Sequence, residues 1–324
     1  MRPLGLLMAV LVLAGCDRMQ APQAPSPQPA PPPPAPSGYL TGRVVATVTG
    51  EPLGGITVGL GSQHVETPAS GSFVFDLSAA GASSRLALSA PGIIPRSGPV
   101  ALGVPTQLTV DAIVDGNGFN LDYYRRLVRG TLDRPALPLR RWTRAPRIYL
   151  RTIDEQGLPV DEAHLRQVEA ALLDDPAAWT GGRFGIAEMV RGTASRIGDP
   201  EWITVRWANP SVDSICGSAQ VGYPGGWIEL HHLNPRCHCD GGLVSQGTVR
   251  HEFGHAMGFF HTDEPGDVLS TKRSGAEWCY GRPSALERFH AAIAYSRPVG
   301  NVDPDWDPGS AVQTFEPRPI VVVD

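Results

Sequence analysis

The chain begins with an apolar run and then loses all hydrophobic patterning. Leu4 to Gly15 is apolar behind a positive Arg2. The run is about twelve residues, short of the ~20 that a bilayer-spanning helix needs, so residues 1–15 read as a secretory signal. Residues 21–37 hold only Pro, Ala, Gln and Ser. Such a stretch cannot bury a core and is expected as extended polyproline II, roughly 50 Å long. Short strand-like stretches follow at Gly42–Val48, Ile56–Leu60, Gly71–Leu77, Leu86–Ala90 and Gln107–Val110. Turn chemistry at Thr49-Gly50-Glu51-Pro52 separates the first two, and the spacing predicts a small all-β sandwich over 38–116. The pattern then becomes mixed. Arg147–Arg151, Arg183–Val190, Ile203–Trp207 and Trp227–Leu230 read as strands. Asp161–Leu173 places Leu165, Val168 and Leu172 at helical spacing. Ser245–Met257 reads as a second helix. A third starts at a Ser284/Glu287 capping box and ends before Pro298. The expected architecture is α+β over 117–300, with an acidic, proline-rich tail at 301–324 wrapping the surface.

Composition narrows the reading. A length of 324 residues suits about two domains. The net charge of −5, with no basic run, argues against a nucleic-acid partner. Asp303, Asp305 and Asp307 alternate, which suits either a solvated loop or a calcium site. Beyond Cys16 there are four cysteines: Cys216, Cys237, Cys239 and Cys279. In an exported chain they suggest two disulfides. A Cys237–Cys239 bond would close a tiny strained ring, so Cys216 pairs with one of these two and Cys279 with the other. A second metal site at Cys237-His238-Cys239 is the competing reading.

The chemistry concentrates at residues 251–261, His-Glu-Phe-Gly-His-Ala-Met-Gly-Phe-Phe-His. His251 and His255 are four apart, so a helix presents both imidazoles on one face. Gly258 allows a turn that returns His261 as a third ligand. Three neutral ligands leave a fourth position for water, the arrangement of a catalytic zinc. Glu252, beside the first ligand, is placed as general base. His64, His164, His231, His232, His238 and His290 have no ligand spacing to this group and read as surface or packing residues.

Three resemblances follow from these residues. Leu13-Ala14-Gly15-Cys16 resembles the lipobox of bacterial lipoproteins. It implies acylation of Cys16 and a membrane-anchored protein of the bacterial cell envelope, facing the periplasm or the exterior. Gly42-Arg43-Val44, Glu51-Pro52-Leu53-Gly54-Gly55 and Gly71-Ser72-Phe73 resemble the carboxypeptidase regulatory-like module, which implies a non-catalytic domain. Residues 251–261 match the metzincin pattern H-E-x-x-H-x-x-G-x-x-H at every fixed position. That resemblance implies a zinc-dependent endopeptidase acting on protein or peptide. It implies a twisted mixed sheet with an antiparallel edge strand beside the active-site helix. Substrate is then expected along Gly217, Ser218, Ala219, Gln220 and Val221. Two positions depart from the family. Leu269 stands where the methionine turn is expected, and Thr271 where some members carry tyrosine, leaving Tyr280 and Tyr295 as the tyrosines to consider. A non-enzymatic surface binding lipoprotein with a vestigial zinc site is the alternative these departures favour.

Overall fold

Alternation of apolar and polar residues builds the first module. β1 (Tyr39–Ala46) turns Leu40, Gly42, Val44 and Ala46 inward and leaves Tyr39, Thr41 and Arg43 exposed. β4 (Ser72–Asp76) buries Phe73 and Phe75 in the same way, and β5 (Arg85–Ser89) buries Leu86 and Leu88. The remaining strands are β2 (Thr57–Leu60), β3 (Gln63–Glu66), β6 (Arg96–Pro99) and β7 (Gln107–Ala112). They form two sheets, β4-β1-β7 and β3-β2-β5-β6. One core that includes Leu40, Val58, Leu60, Phe73 and Leu88 fills the space between them. This is a sandwich, as the strand spacing predicts, with two strands the sequence pattern did not reveal.

The computed structural model describes residues 38–78, 85–102, 107–132, 136–208, 215–309 and 319–323. The expected signal sequence, Cys16 and the polyproline segment lie outside them. Among the described residues no helix is long and apolar enough to cross a membrane.

The second module begins with α1 (Leu121–Arg129), whose amides are capped by the Asn120 side chain and which ends on Gly130. Its sheet contains β8 (Arg147–Arg151), β9 (Glu188–Gly192), β10 (Trp202–Trp207), β11 (Gly217–Gln220) and β12 (Trp227–Leu230). The helices are α2 (Glu162–Leu173), α3 (Gln246–Ala256), α4 (Gly275–Tyr280) and α5 (Ala285–Tyr295), and β13 (Val321–Val323) follows. Sheet order is β13-β11-β12-β10-β8-β9. β9, β8, β10 and β12 run parallel, while β11 is antiparallel to β12 and to β13. Burial of Trp202, Ile203, Thr204 and Val205 in succession marks β10 as covered on both faces. α3 packs on β11, β12 and α2. The class is α+β.

Three sequence expectations change. The strand expected at 183–190 runs instead over Glu188–Gly192; nearer its expected start, the Phe184 main chain is held by the Thr180 hydroxyl, which donates to its carbonyl and accepts from its amide. The antiparallel strand expected at the sheet edge is one strand in, since β13 pairs outside it. Residues 301–309 are neither a calcium site nor a solvated loop. Arg125 holds Asp303 through two bonds of 2.8 and 3.0 Å, Arg297 holds Asp305 at 2.7 Å, and Arg96 holds Asp307 at 2.7 Å. The Asn301 amide adds bonds of 2.9 Å to Asp305 and 2.8 Å to Asp307. Carboxylates so engaged have no need of a divalent cation.

These pairs also join the two modules. Asp111 of β7 accepts from both Arg96 and Arg297, and Ser97 of β6 exchanges main-chain bonds with Asp305 and Asp307. Burial raises the Asp111 carboxyl, but Arg297 and then Arg96 outweigh it and bring the value down to about 2 from 3.8. The ionised form is therefore favoured by folding. Its contribution is complete above the unfolded value and is lost as pH falls towards about 2. The size is about 2 kcal/mol. Thermal unfolding across pH 6 to 2 checks this against Asp111→Asn, with the stability gap between the two proteins expected to close towards the acid end. A gap that does not change with pH would contradict it.

Candidate metal centre

The site is assembled on α3 and the turn that follows it. Ser245 caps the helix by accepting the Thr248 amide at 2.9 Å. Gly254 leaves room for Trp179 and Leu269, which a Cβ would meet at 2.7 and 3.1 Å. Gly258 ends the helix at φ +114°, with the Arg140 carbonyl where a side chain would begin. The chain then doubles back, and the 262–270 loop is closed by the Thr262 amide on the Leu269 carbonyl at 3.0 Å. His261 thereby faces the helix.

His251 and His255 are fully buried, and His261 is partly buried. The Nε2 atoms of His251 and His255 lie 3.0 Å apart, and those of His251 and His261 3.2 Å apart. Nδ1 of His251 is 2.6 Å from the Val268 carbonyl, and Nδ1 of His255 is 2.7 Å from the Phe259 carbonyl. A carbonyl only accepts, so each Nδ1 carries the proton and each Nε2 presents a lone pair. Lone pairs converging at this distance repel unless a cation lies between them. Ligands at 2.0–2.1 Å around a tetrahedral ion stand ~3.3 Å apart, close to the spacing found. These three residues can hold a metal ion, and among the described residues no other group of this kind converges.

A second set of residues holds that set in place. The Val268 and Leu269 amides donate to Glu287 at 3.1 and 2.8 Å, and the Ser284 amide does so at 2.7 Å. Asp267 accepts from Tyr123 at 2.6 Å, Thr262 at 2.8 Å and Ser284 at 2.6 Å. Burial, then the Asp267 charge, pushes Glu287 up to about 8, while its three amide donors pull it down. The chain of contacts runs from Glu287 through the Val268 peptide to His251. Sequence reasoning found Ser284 and Glu287 as a capping box but missed their link to residue 268. It missed Tyr123, Thr262 and Asp267 altogether, since no local spacing ties them together.

Glu252 is fully buried on the same helix. β11 starts beside it: a Cβ on Gly217 would meet the Glu252 Cδ at 2.7 Å. Gly217, Ser218, Ala219 and Val221 are buried and Gln220 is partly so. Gly217–Gln220 form β11, with Val221 just after it; Gly217 lies against the acid and β13 pairs on the outer side. Leu269 is wholly buried under α3 against Gly254, and Thr271 is exposed. Tyr280 is exposed and bonds Asp240, while Tyr295 is buried and donates to the Met257 carbonyl at 2.8 Å.

The disulfides are Cys216–Cys237 and Cys239–Cys279. They use the sulfurs that a second metal site at 237–239 would need, so that reading falls. His238 instead bonds the His232 carbonyl at 2.7 Å. His164, His231, His232 and His290 are buried packing residues, and His64 is exposed on β3.

A scan against protein-family models finds no match, and a search of curated proteins finds none either.

Proposed function

We propose that the chain is a zinc metalloendopeptidase of metzincin type. The observation that carries this reading is the convergence of three histidine Nε2 atoms, the rings of His251 and His255 aimed by main-chain carbonyls, with Glu252 next in sequence to the first. Imidazole-only ligation by three residues suits zinc with one position left open. A zinc ion held by His251, His255 and His261 would supply Lewis acidity. Glu252 would act as general base towards an attacking water and return the proton to the leaving amine. Gly217 keeps β11 close to Glu252, so an extended peptide that paired with this strand in place of β13 would run past the acid. Leu269 fills the apolar space below the metal helix that methionine fills in metzincins. The sheet order, with one antiparallel strand next to α3, supports the same family.

The setting we propose is the bacterial envelope, with Cys16 lipidated and the sandwich acting as a non-catalytic module. Two disulfides suit such an oxidising compartment. The alternative is a surface binding protein with a vestigial zinc site, favoured by Leu269, Thr271 and the covered β11 edge. A mixed peptide library separates the two. Internal cleavage by the zinc-loaded chain, absent with Glu252→Gln, supports the peptidase. Full zinc loading with an intact library supports the binding protein.

A further inference from the structure

β11 is the strand that passes Glu252, and its outer edge is already taken. Ser218, Ala219 and Gln220 pair antiparallel with Val323, Val322 and Val321. The Val221 amide donates to the Ile320 carbonyl at 2.9 Å. The polarity is defined. Residue 320 sits at the Val221 end, where the next amide, of Gly222, bonds the His255 carbonyl at 3.0 Å. Residue 323 sits opposite Ser218, one position from the Gly217 that touches Glu252. The segment therefore runs along the edge towards the acid.

It is held mostly by its backbone. Val321 and Val323 are 46% and 53% exposed, so little apolar surface secures them. A three-residue strand with outward valines offers the same main-chain donors and acceptors that any extended peptide offers. From these observations we propose that residues 319–323 are an internal competitor of substrate: a built-in β-strand that occupies the peptide-binding edge and is displaced when an extended, β-branched aliphatic peptide binds. The inference rests on the peptidase reading only for what the edge is used for. Occupancy and displacement stand on the strand pairing.

The ladder indicates how to weaken the segment. Val221 and Ile320 form a hydrogen-bonded pair, and such pairs alternate in antiparallel sheets, so Ala219 and Val322 form the next. Val322→Pro removes that amide donor at the sheet edge, where proline is tolerated. Ile320→Pro fixes φ near −65°, away from the antiparallel strand value, at the residue whose carbonyl accepts from the Val221 amide, and serves as an independent variant. A tethered segment acts at an effective concentration on the order of 1 mM; if its own affinity for the edge is about 100 μM, it weakens any competing peptide roughly tenfold.

The probe is fluorescein-labelled Pro-Ile-Val-Val-Val, the sequence of residues 319–323. It is titrated by anisotropy into the full chain carrying Glu252→Gln, with and without Val322→Pro or Ile320→Pro. Binding roughly tenfold tighter in either proline variant is the expected result. Equal binding with and without proline, or no binding to any of them, overturns the proposal. On the active background, Val322→Pro is expected to lower KM for an extended peptide about tenfold with kcat unchanged. Tighter probe binding without cleavage by any chain leaves the competitor in place and removes the peptidase reading. Cleavage with KM and probe binding unaltered by proline does the reverse.

Discussion

Glu252→Gln is expected to lower peptide hydrolysis by roughly 10³-fold while the chain keeps one zinc. Glutamine preserves the size of the side chain in a fully buried position against Gly217, so packing changes little. It cannot accept a proton, and that is the step assigned to this residue. Two of the ligand rings, His251 and His255, are oriented by the Val268 and Phe259 carbonyls, independently of Glu252. Metal content and steady-state rate on one preparation separate the two effects. Loss of zinc together with activity would mean that Glu252 supports the ligand set and does not itself move the proton.

The second large effect is structural. Arg297→Ala is expected to cost about 3–5 kcal/mol and to lower the thermal midpoint by roughly 10 °C. Arg297 is fully buried and reaches Asp305 at 2.7 Å, Asp111, and the Thr47 hydroxyl at 3.1 Å. Removing it leaves Asp305, 1% exposed, with the Asn301 amide but without its arginine. Asp111 keeps Arg96. Asp305→Asn added to Arg297→Ala is expected to recover part of the loss, because the uncompensated charge is gone. Calorimetry of both variants checks this, and a midpoint within about 1 °C of the parent after Arg297→Ala would show that the cluster contributes little.

The sequence reveals local structure here and misses what joins distant segments. Residues 251–261 are legible because a helix turns the four-residue spacing of His251 and His255 into one face, and Gly258 fixes the return of His261. The caps Ser245 and Ser284 are legible for the same reason: each acts within three residues. α1 is legible too, with Asn120 and Gly130 at its ends and Tyr123, Tyr124, Leu127 and Val128 buried on one face. β3 and β6 lack apolar alternation; Arg96-Ser97-Gly98-Pro99 is a strand because Leu86 and Leu88 of β5 lie beside it. Excluding the 237–239 ring left two disulfide pairings, and only the folded course of the chain selects between them. Asp303 and Asp307 read as loop residues because their arginines lie far away in the sequence, at 125 and 96, while Arg297 is eight residues from Asp305 at no regular helical or strand spacing. Val321–Val323 is plainly strand-like, yet nothing local says that its partner is the strand beside Glu252.

Metal removal and restoration tests the zinc reading most directly. The chain is stripped with a chelator, dialysed, and given zinc in steps while cleavage of a mixed peptide library is followed. Hydrolysis is expected to vanish with the metal and to return in full at one equivalent of zinc, with no recovery in His255→Ala. Cleavage that persists in the metal-free chain, or a chain with one zinc on His251, His255 and His261 that cuts nothing, would contradict it.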